Sequence, residues 1–453
     1  MDSRVRSGMA PAYLFSCLIL GGSAQGIWQN MLLQLAGVAI VAWAAIETRD
    51  EPLTAGARQL AAIAILAIAV AGLQMIPLPA TFWPNAGPRE EFANAFRLLG
   101  LQVPAQPLSL TPAAGLDSLL GIIPPIAMAC AVLRLKAYRP DWLAIALVAG
   151  AVAGIALGAV QVASSGSGLS PWYLYEQTNV GRGVGFFANA NHMAILLVIA
   201  IPFLAAIVAS QRRAGLQRYT AAATVAAGIA ILMAVGIFLN RSLAGYGLGL
   251  AVIPFSALIL LPPASRMRRW SVALGVLVAL ASLAALEATP IGGEQLSQDT
   301  NVSIQSREDI LATTARAASD FMPFGSGLGS FTSVYPLYEH TQQVTTTFVI
   351  HAHNDFAEIV LELGVAGVIL ILLFLAWWSA AVWRAWRTPE AGPFARAAAI
   401  ASAAILIHSL VDFPLRTAAI ASCFGMCLAL LAGARRAPVS DPKDLRSTRH
   451  VQF

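Results

Sequence analysis

The sequence predicts an all-α, polytopic membrane protein: a bundle of about twelve transmembrane helices with a large, partly helical outer loop. Three observations carry this. Apolar residues make up 58% of the chain and charged residues 11%, far below the ~25% charged of soluble domains. Apolar runs of the ~20 residues needed to cross a bilayer as helix recur from end to end. Lys and Arg are also distributed unevenly. With the N-terminus inside, the outer segments hold only Arg89, Arg97, Arg182, Arg241, Arg307, Arg316 and Arg416 of the 28 Lys and Arg residues. That bias places both termini in the cytoplasm. The net charge of +5 therefore reflects topology and gives no case for binding nucleic acid.

The expected spans are 10–27, 30–47, 58–76, 113–133, 141–163, 191–210, 219–239, 243–262, 270–288, 355–383, 396–412 and 417–434. No cleavable signal peptide is expected, because 11–27 leads straight into a second apolar segment. The chain 1–453 reads as one integral membrane domain with two sizeable outer loops, 77–112 and 289–353. Cys17, Cys130, Cys423 and Cys427 all fall inside spans, so they imply packing rather than a disulfide framework.

Taken in order, the first three helices are Ala- and Leu-rich scaffold. The loop 77–112 has Pro-rich ends around an amphipathic piece, 90–99, with Phe92, Phe96 and Leu99 on one face. It suits a helix lying in the headgroup region. The next outer segment, 164–191, ends in GRGVGFFANANHMA. Its glycines let backbone approach a neighbour or ligand closely, and Asn189 or Asn191 can cap the helix that follows. Arg182 lies among those glycines, where it can snorkel to a headgroup or serve a site, since charges at membrane level are commonly functional.

Arg241 is a sharper signal. The turn Asn240-Arg241-Ser242 joins two apolar segments with almost no loop, and an outer arginine runs against the charge bias. Its planar guanidinium can give two hydrogen bonds to one phosphate, whether of a substrate or of a lipid headgroup. In 289–353, Ser306 is expected to cap a helix with Arg307 in its first turn, where a cation opposes the helix dipole. PFGSGLGSF follows; it lacks the lysine of a phosphate loop and reads as a tight irregular turn packed on the membrane surface.

The chemistry centres on 351–367, HAHNDFAEIVLELGVAG. A helix starting near Asn354 turns its unpaired N–H groups and positive dipole end to the outer face. Such an end attracts anions and favours a neutral imidazole beside it, able to accept a proton. His353 is placed for that role. Glu358 and Glu362 lie one turn apart on the face continuing from Asn354, where they can align an acceptor or pair with an arginine. Gly364 and Gly367 would permit a close helix crossing. Near the C-terminus, HSLVDFPLR suggests an Asp412–Arg416 ion pair clamping a hairpin, with His408 as a further proton-transfer candidate. No spacing here suits a metal.

From His353 the stretch reads His-Asn, nine residues, Gly, two residues, Gly. This strongly resembles the outer-loop motif of the O-antigen ligase and O-antigen polymerase superfamily. The Arg-Gly and Phe-x-Asn-x-Asn stretch at Arg182, the Arg241-Ser242 turn and Ser306-Arg307 are similar to that family as well. The resemblance runs from about Leu78 onward and implies glycosyl transfer from an undecaprenyl-diphosphate-linked glycan. The setting would be the periplasmic face of a Gram-negative inner membrane. Arg182, Arg241 and Arg307 would hold the diphosphate. His353 would take the acceptor proton in an inverting displacement, with Asn354, Glu358 and Glu362 near the acceptor. Arginine charge would stand in for a metal, and no cofactor is implied. Members differ in acceptor: lipid A–core, a growing polysaccharide, or protein. A lipid or glycan exporter is the rival reading. It would favour repeated halves and interrupted helices, which the sequence does not show clearly.

Overall fold

The computed structural model describes residues 3–24, 26–47, 52–165, 170–261, 266–288, 294–341, 344 and 348–434. The helices are α1 (Ser3–Leu20), α2 (Trp28–Ile46), α3 (Ala55–Leu73), α4 (Arg89–Leu98), α5 (Pro112–Gly121), α6 (Ile123–Leu133), α7 (Pro140–Ser164) and α8 (Ala190–Ser210). They continue with α9 (Leu216–Asn240), α10 (Leu243–Leu260), α11 (Arg266–Ala288), α12 (Glu294–Asp320), α13 (Phe331–Tyr338), α14 (Asp355–Arg387), α15 (Gly392–His408) and α16 (Ala418–Gly433). A short antiparallel pair, β1 (Pro77–Leu78) and β2 (Gln106–Pro107), closes the first loop.

Each expected span has helix over it, and among the described residues eight helical stretches are long and apolar enough to cross a membrane. The chain is a multi-pass membrane protein. The first span is displaced: α1 begins at Ser3 and stops at Leu20, and 21–24 and 26–27 are not helical. The fourth is broken at Ile122 into α5 and α6, just before Pro124 and Pro125, the second of which cannot donate to the helical ladder. α4 confirms the helix expected in the first loop, with Leu98 at its end and Leu99 just after it exposed.

α8 is the hub. It packs against α7, α9, α10 and α15, and its residues are apolar on every side and buried nearly throughout. A helix hydrophobic all round belongs in the interior. α9 is the opposite case, with Val225, Ile231, Val235 and Phe238 exposed, as befits a lipid-facing helix. Cys17, Cys423 and Cys427 lie in the main core, and all four cysteines are free thiols.

A second, smaller core sits at one end of the bundle. Ile310, Ala317 and Ala318 of α12 and Phe321 just after it pack with Phe331, Val334 and Tyr335 of α13 and with Ala352 and Leu361. α12 begins at Glu294, so Arg307 lies mid-helix and not in the first turn expected behind a Ser306 cap. The dipole conflict at Arg307 is removed by this extra length.

α14 is interrupted. Gly364 has φ 60° and ψ −139°, a conformation almost confined to glycine. A Cβ there would lie 2.2 Å from Pro323 O. The break frees backbone groups of α14, and the PFGSGLGSF turn takes them up. Ser326 N donates to Leu361 O (2.9 Å), Gly327 N to Glu362 O (2.9 Å), and Val365 N to Pro323 O (2.9 Å). The turn expected on the membrane surface therefore completes a helix instead. At Gly367 the atoms nearest to an added Cβ belong to α14 itself, with Ile359 O at 2.7 Å. Scaffold helix α3 contributes too: Gln74, just beyond it, donates to Phe324 O and Glu362 O, each at 3.0 Å. Buried Arg89 donates to Ala86 O, Leu108 O and Gly325 O, tying the first loop to the same turn.

Candidate functional site

The site assembles around Asp412, in the connection between α15 and α16. α15 ends at His408, and Pro414–Arg416 form a 3₁₀ turn, which leaves the Asp412 carboxylate fully buried. Its Oδ1 accepts from Phe413 N (2.9 Å) and lies 3.5 Å from His353 Nδ1 and 3.7 Å from His192 Nε2. Its Oδ2 accepts from Asn191 Nδ2 (2.5 Å) and lies 3.8 Å from Arg307 Nη2. Burial would raise the carboxyl pKa, but His192 and His353 beside it hold it well below the usual carboxylate range.

His353 is 26% exposed, whereas His192 is 2% exposed. With Nδ1 turned to Asp412, the Nε2 of His353 is the nitrogen available to a hydroxyl. Its backbone is left-handed, with φ 51°, an uncommon state for a residue with a Cβ. Asn354 then caps α14, its Oδ1 accepting from Ala357 N (2.9 Å) while its Nδ2 donates to Leu410 O (2.9 Å). The rings of His192, His351 and His353 surround Phe413 at centroid separations of 5.1, 4.5 and 5.0 Å.

The two other arginines arrive on a second strand of contacts. Asn191, which reaches Asp412 with one side of its amide, accepts from Ser242 Oγ (2.8 Å) with the other. Ser242 caps α10, accepting from Gly245 N, and the preceding Arg241 is left-handed (φ 55°) and exposed. Asn240 donates to Gly183 O (3.1 Å) and Ala190 O (2.7 Å). This stitches the Arg182 loop to the Arg241 turn. Gln161 of α7 pins the same loop, accepting from Val184 N and Gly185 N and donating to Gly185 O. Tyr173 accepts from Gly181 N and donates to Arg182 O. The guanidinium groups of Arg182 and Arg241 make no hydrogen bond or ion pair with any described residue. They are free to meet an anion.

A separate buried charge cluster anchors the start of α14. Arg416 lies 3.5 Å from Asp355, 3.2 Å from Glu358 and 3.7 Å from Glu362. Burial would lower the Arg416 pKa, but the three carboxylates raise it. His351 Nδ1 is 2.9 Å from Glu358 Oε1, and Gly329 N donates to Glu362 Oε1 (2.9 Å). The expected Asp412–Arg416 pair is thus absent among the described residues. Sequence spacing of four suggests that pair, but the Phe413-Pro414 turn sends the two side chains into different clusters.

The structure therefore joins His353 and Arg307 directly through Asp412, and the Arg182 and Arg241 segments through Asn191 and Asn240. Sequence reasoning did not assign Asp412, His192 or Asn191 to the site. The available signal was physical: an ionisable residue buried at membrane level is a site candidate by default.

Residues 228–372 match the family model described as O-Antigen ligase. The matched stretch contains Arg241, Arg307 and His353, with Arg182, Asn191 and Asp412 outside it. No curated protein matches the chain. The match supports the O-antigen ligase and polymerase superfamily expected from the sequence.

Proposed function

We propose, from the match of residues 228–372 to the O-antigen ligase family model, that the protein is a membrane glycosyltransferase. It moves a glycan from an undecaprenyl-diphosphate carrier to an acceptor hydroxyl at the periplasmic face of the inner membrane. The observation that carries this reading is Asp412, which touches both the half-open His353 and the cation Arg307.

The acceptor hydroxyl meets His353 Nε2. As its oxygen bonds to the anomeric carbon, the bond from that carbon to the diphosphate oxygen breaks. The proton passes to His353, whose new charge Asp412 offsets. Negative charge growing on the departing diphosphate is met by Arg182, Arg241 and Arg307. Attack opposite the leaving group inverts the anomeric centre. Asn354 is engaged in its cap, and Glu358 and Glu362 with Arg416. Their contribution to the acceptor is to fix the start of α14, and hence His353. Within this class the product is an extended polysaccharide or one ligated to lipid A–core.

The test is transfer by purified protein in lipid, with a lipid-diphosphate-linked glycan and candidate acceptor glycans. Wild-type protein should form a new glycosidic bond and release the diphosphate carrier. A folded His353→Ala variant should not. Movement of the intact lipid-linked glycan across liposomes, with no new bond, would identify an exporter instead.

A further inference from the structure

Asn191 has no local duty that explains it. It lies in the first turn of α8, yet the cap of that helix is the neighbouring Asn189, whose Oδ1 accepts from Asn191 N (2.8 Å). The Asn191 side chain is instead spent on two residues far along the chain. Nδ2 donates to Asp412 Oδ2 at 2.5 Å, and Oδ1 accepts from Ser242 Oγ at 2.8 Å. A carboxamide, with a donor and an acceptor on one rigid plane, joins the carboxylate to the hydroxyl here. One end of the bridge leads to His353, and the other is the residue after Arg241.

We propose that Asn191 is a positioning residue that locks Asp412 to the Arg241 turn, so that the base and the phosphate-binding arginine keep one register. The inference rests on the functional reading above. Without Asn191, Asp412 loses its shortest contact, and Ser242 loses the partner that fixes the turn beside the left-handed Arg241.

Two variants test this in the transfer assay. In Asn191→Ala both bonds vanish, and turnover should fall by about ten- to hundred-fold, as for lost hydrogen bonds to a charged group. The loss should not be additive with Arg241→Lys, because the turn is already released. Asn191→Asp keeps the acceptor for Ser242 but sets a second carboxylate against Asp412, and two such groups must share a proton. Its turnover relative to wild type should therefore rise as pH falls. His192 on α8, Arg307 on α12, His353 ahead of α14 and His408 on α15 also bear on Asp412. They are present in both proteins, so the ratio isolates the new carboxylate.

Folding of each variant is checked by thermal melting. A folded Asn191→Ala protein with wild-type kcat and donor KM overturns the proposal. So does a purely additive cycle with an Asn191→Asp ratio flat across pH, the behaviour of a packing residue. Wild-type protein that transfers nothing overturns the functional reading first, and is distinguishable from both.

Discussion

Replacing Asp412 by Asn keeps the shape of the side chain and removes its charge. In the structure the carboxylate lies 3.5 Å from His353 Nδ1, and it gains value only when the imidazole becomes positive on taking the acceptor proton. Its stabilisation is thus larger in the transition state than in the ground state, the condition for affecting kcat. The attraction at that separation is about 5 kcal/mol with an effective permittivity of ~20. Arg307, 3.8 Å from the other oxygen, already claims part of the charge. Taking half of the attraction leaves about 2.4 kcal/mol, or roughly fifty-fold in rate. Asp412→Asn should therefore lower kcat by about fifty-fold or more, with donor KM changed much less. The assay is steady-state transfer from a lipid-diphosphate-linked glycan by protein shown to be folded. Turnover within about threefold of wild type would refute the assignment of Asp412 to His353.

Three further outcomes are expected. Arg241→Lys keeps the charge but loses the planar fork, and donor affinity or turnover should drop about ten- to hundred-fold; near-normal kinetics would leave Arg241 a headgroup anchor. Arg416→Met strands three buried carboxylates and should cost about 3–5 kcal/mol of stability, read as a lowered melting temperature in detergent. Gly364→Ala adds a Cβ 2.2 Å from Pro323 O in a backbone state reserved for glycine. It should destabilise the fold by at least about 2 kcal/mol, visible in the same melting experiment and as lost transfer at 37 °C.

The bundle was legible because bilayer thickness imposes one length on every apolar run, and helix lies over each run that the sequence marks. Arg241 stood out because an outer arginine in so short a turn runs against the charge bias, whereas the dipole conflict that marked Arg307 vanishes once α12 is seen to begin at Glu294. What escaped was long-range pairing. Asp412 and Arg416 invite pairing by their spacing, yet each belongs to a different cluster. Gly364 reads as a small residue at a helix crossing, and only the approach of Pro323 reveals a break. Asn191 looks like a cap because it stands where caps stand. Its partners lie 221 and 51 residues away in sequence, beyond any local pattern.

The break in α14 makes a loop into part of a membrane helix. Backbone polar groups at bilayer depth require partners inside the protein, and here residues 322–330 supply them. This segment precedes α14 in the chain, so it has emerged from the ribosome before the helix that needs it. Grafting α14 into a related scaffold would thus require moving 322–330 and Gln74 with it. A peptide tag inserted between Met322 and Ser330, in a stretch that the sequence reads as a tight turn packed on the membrane surface, should uncouple the helix and empty the membrane of folded protein.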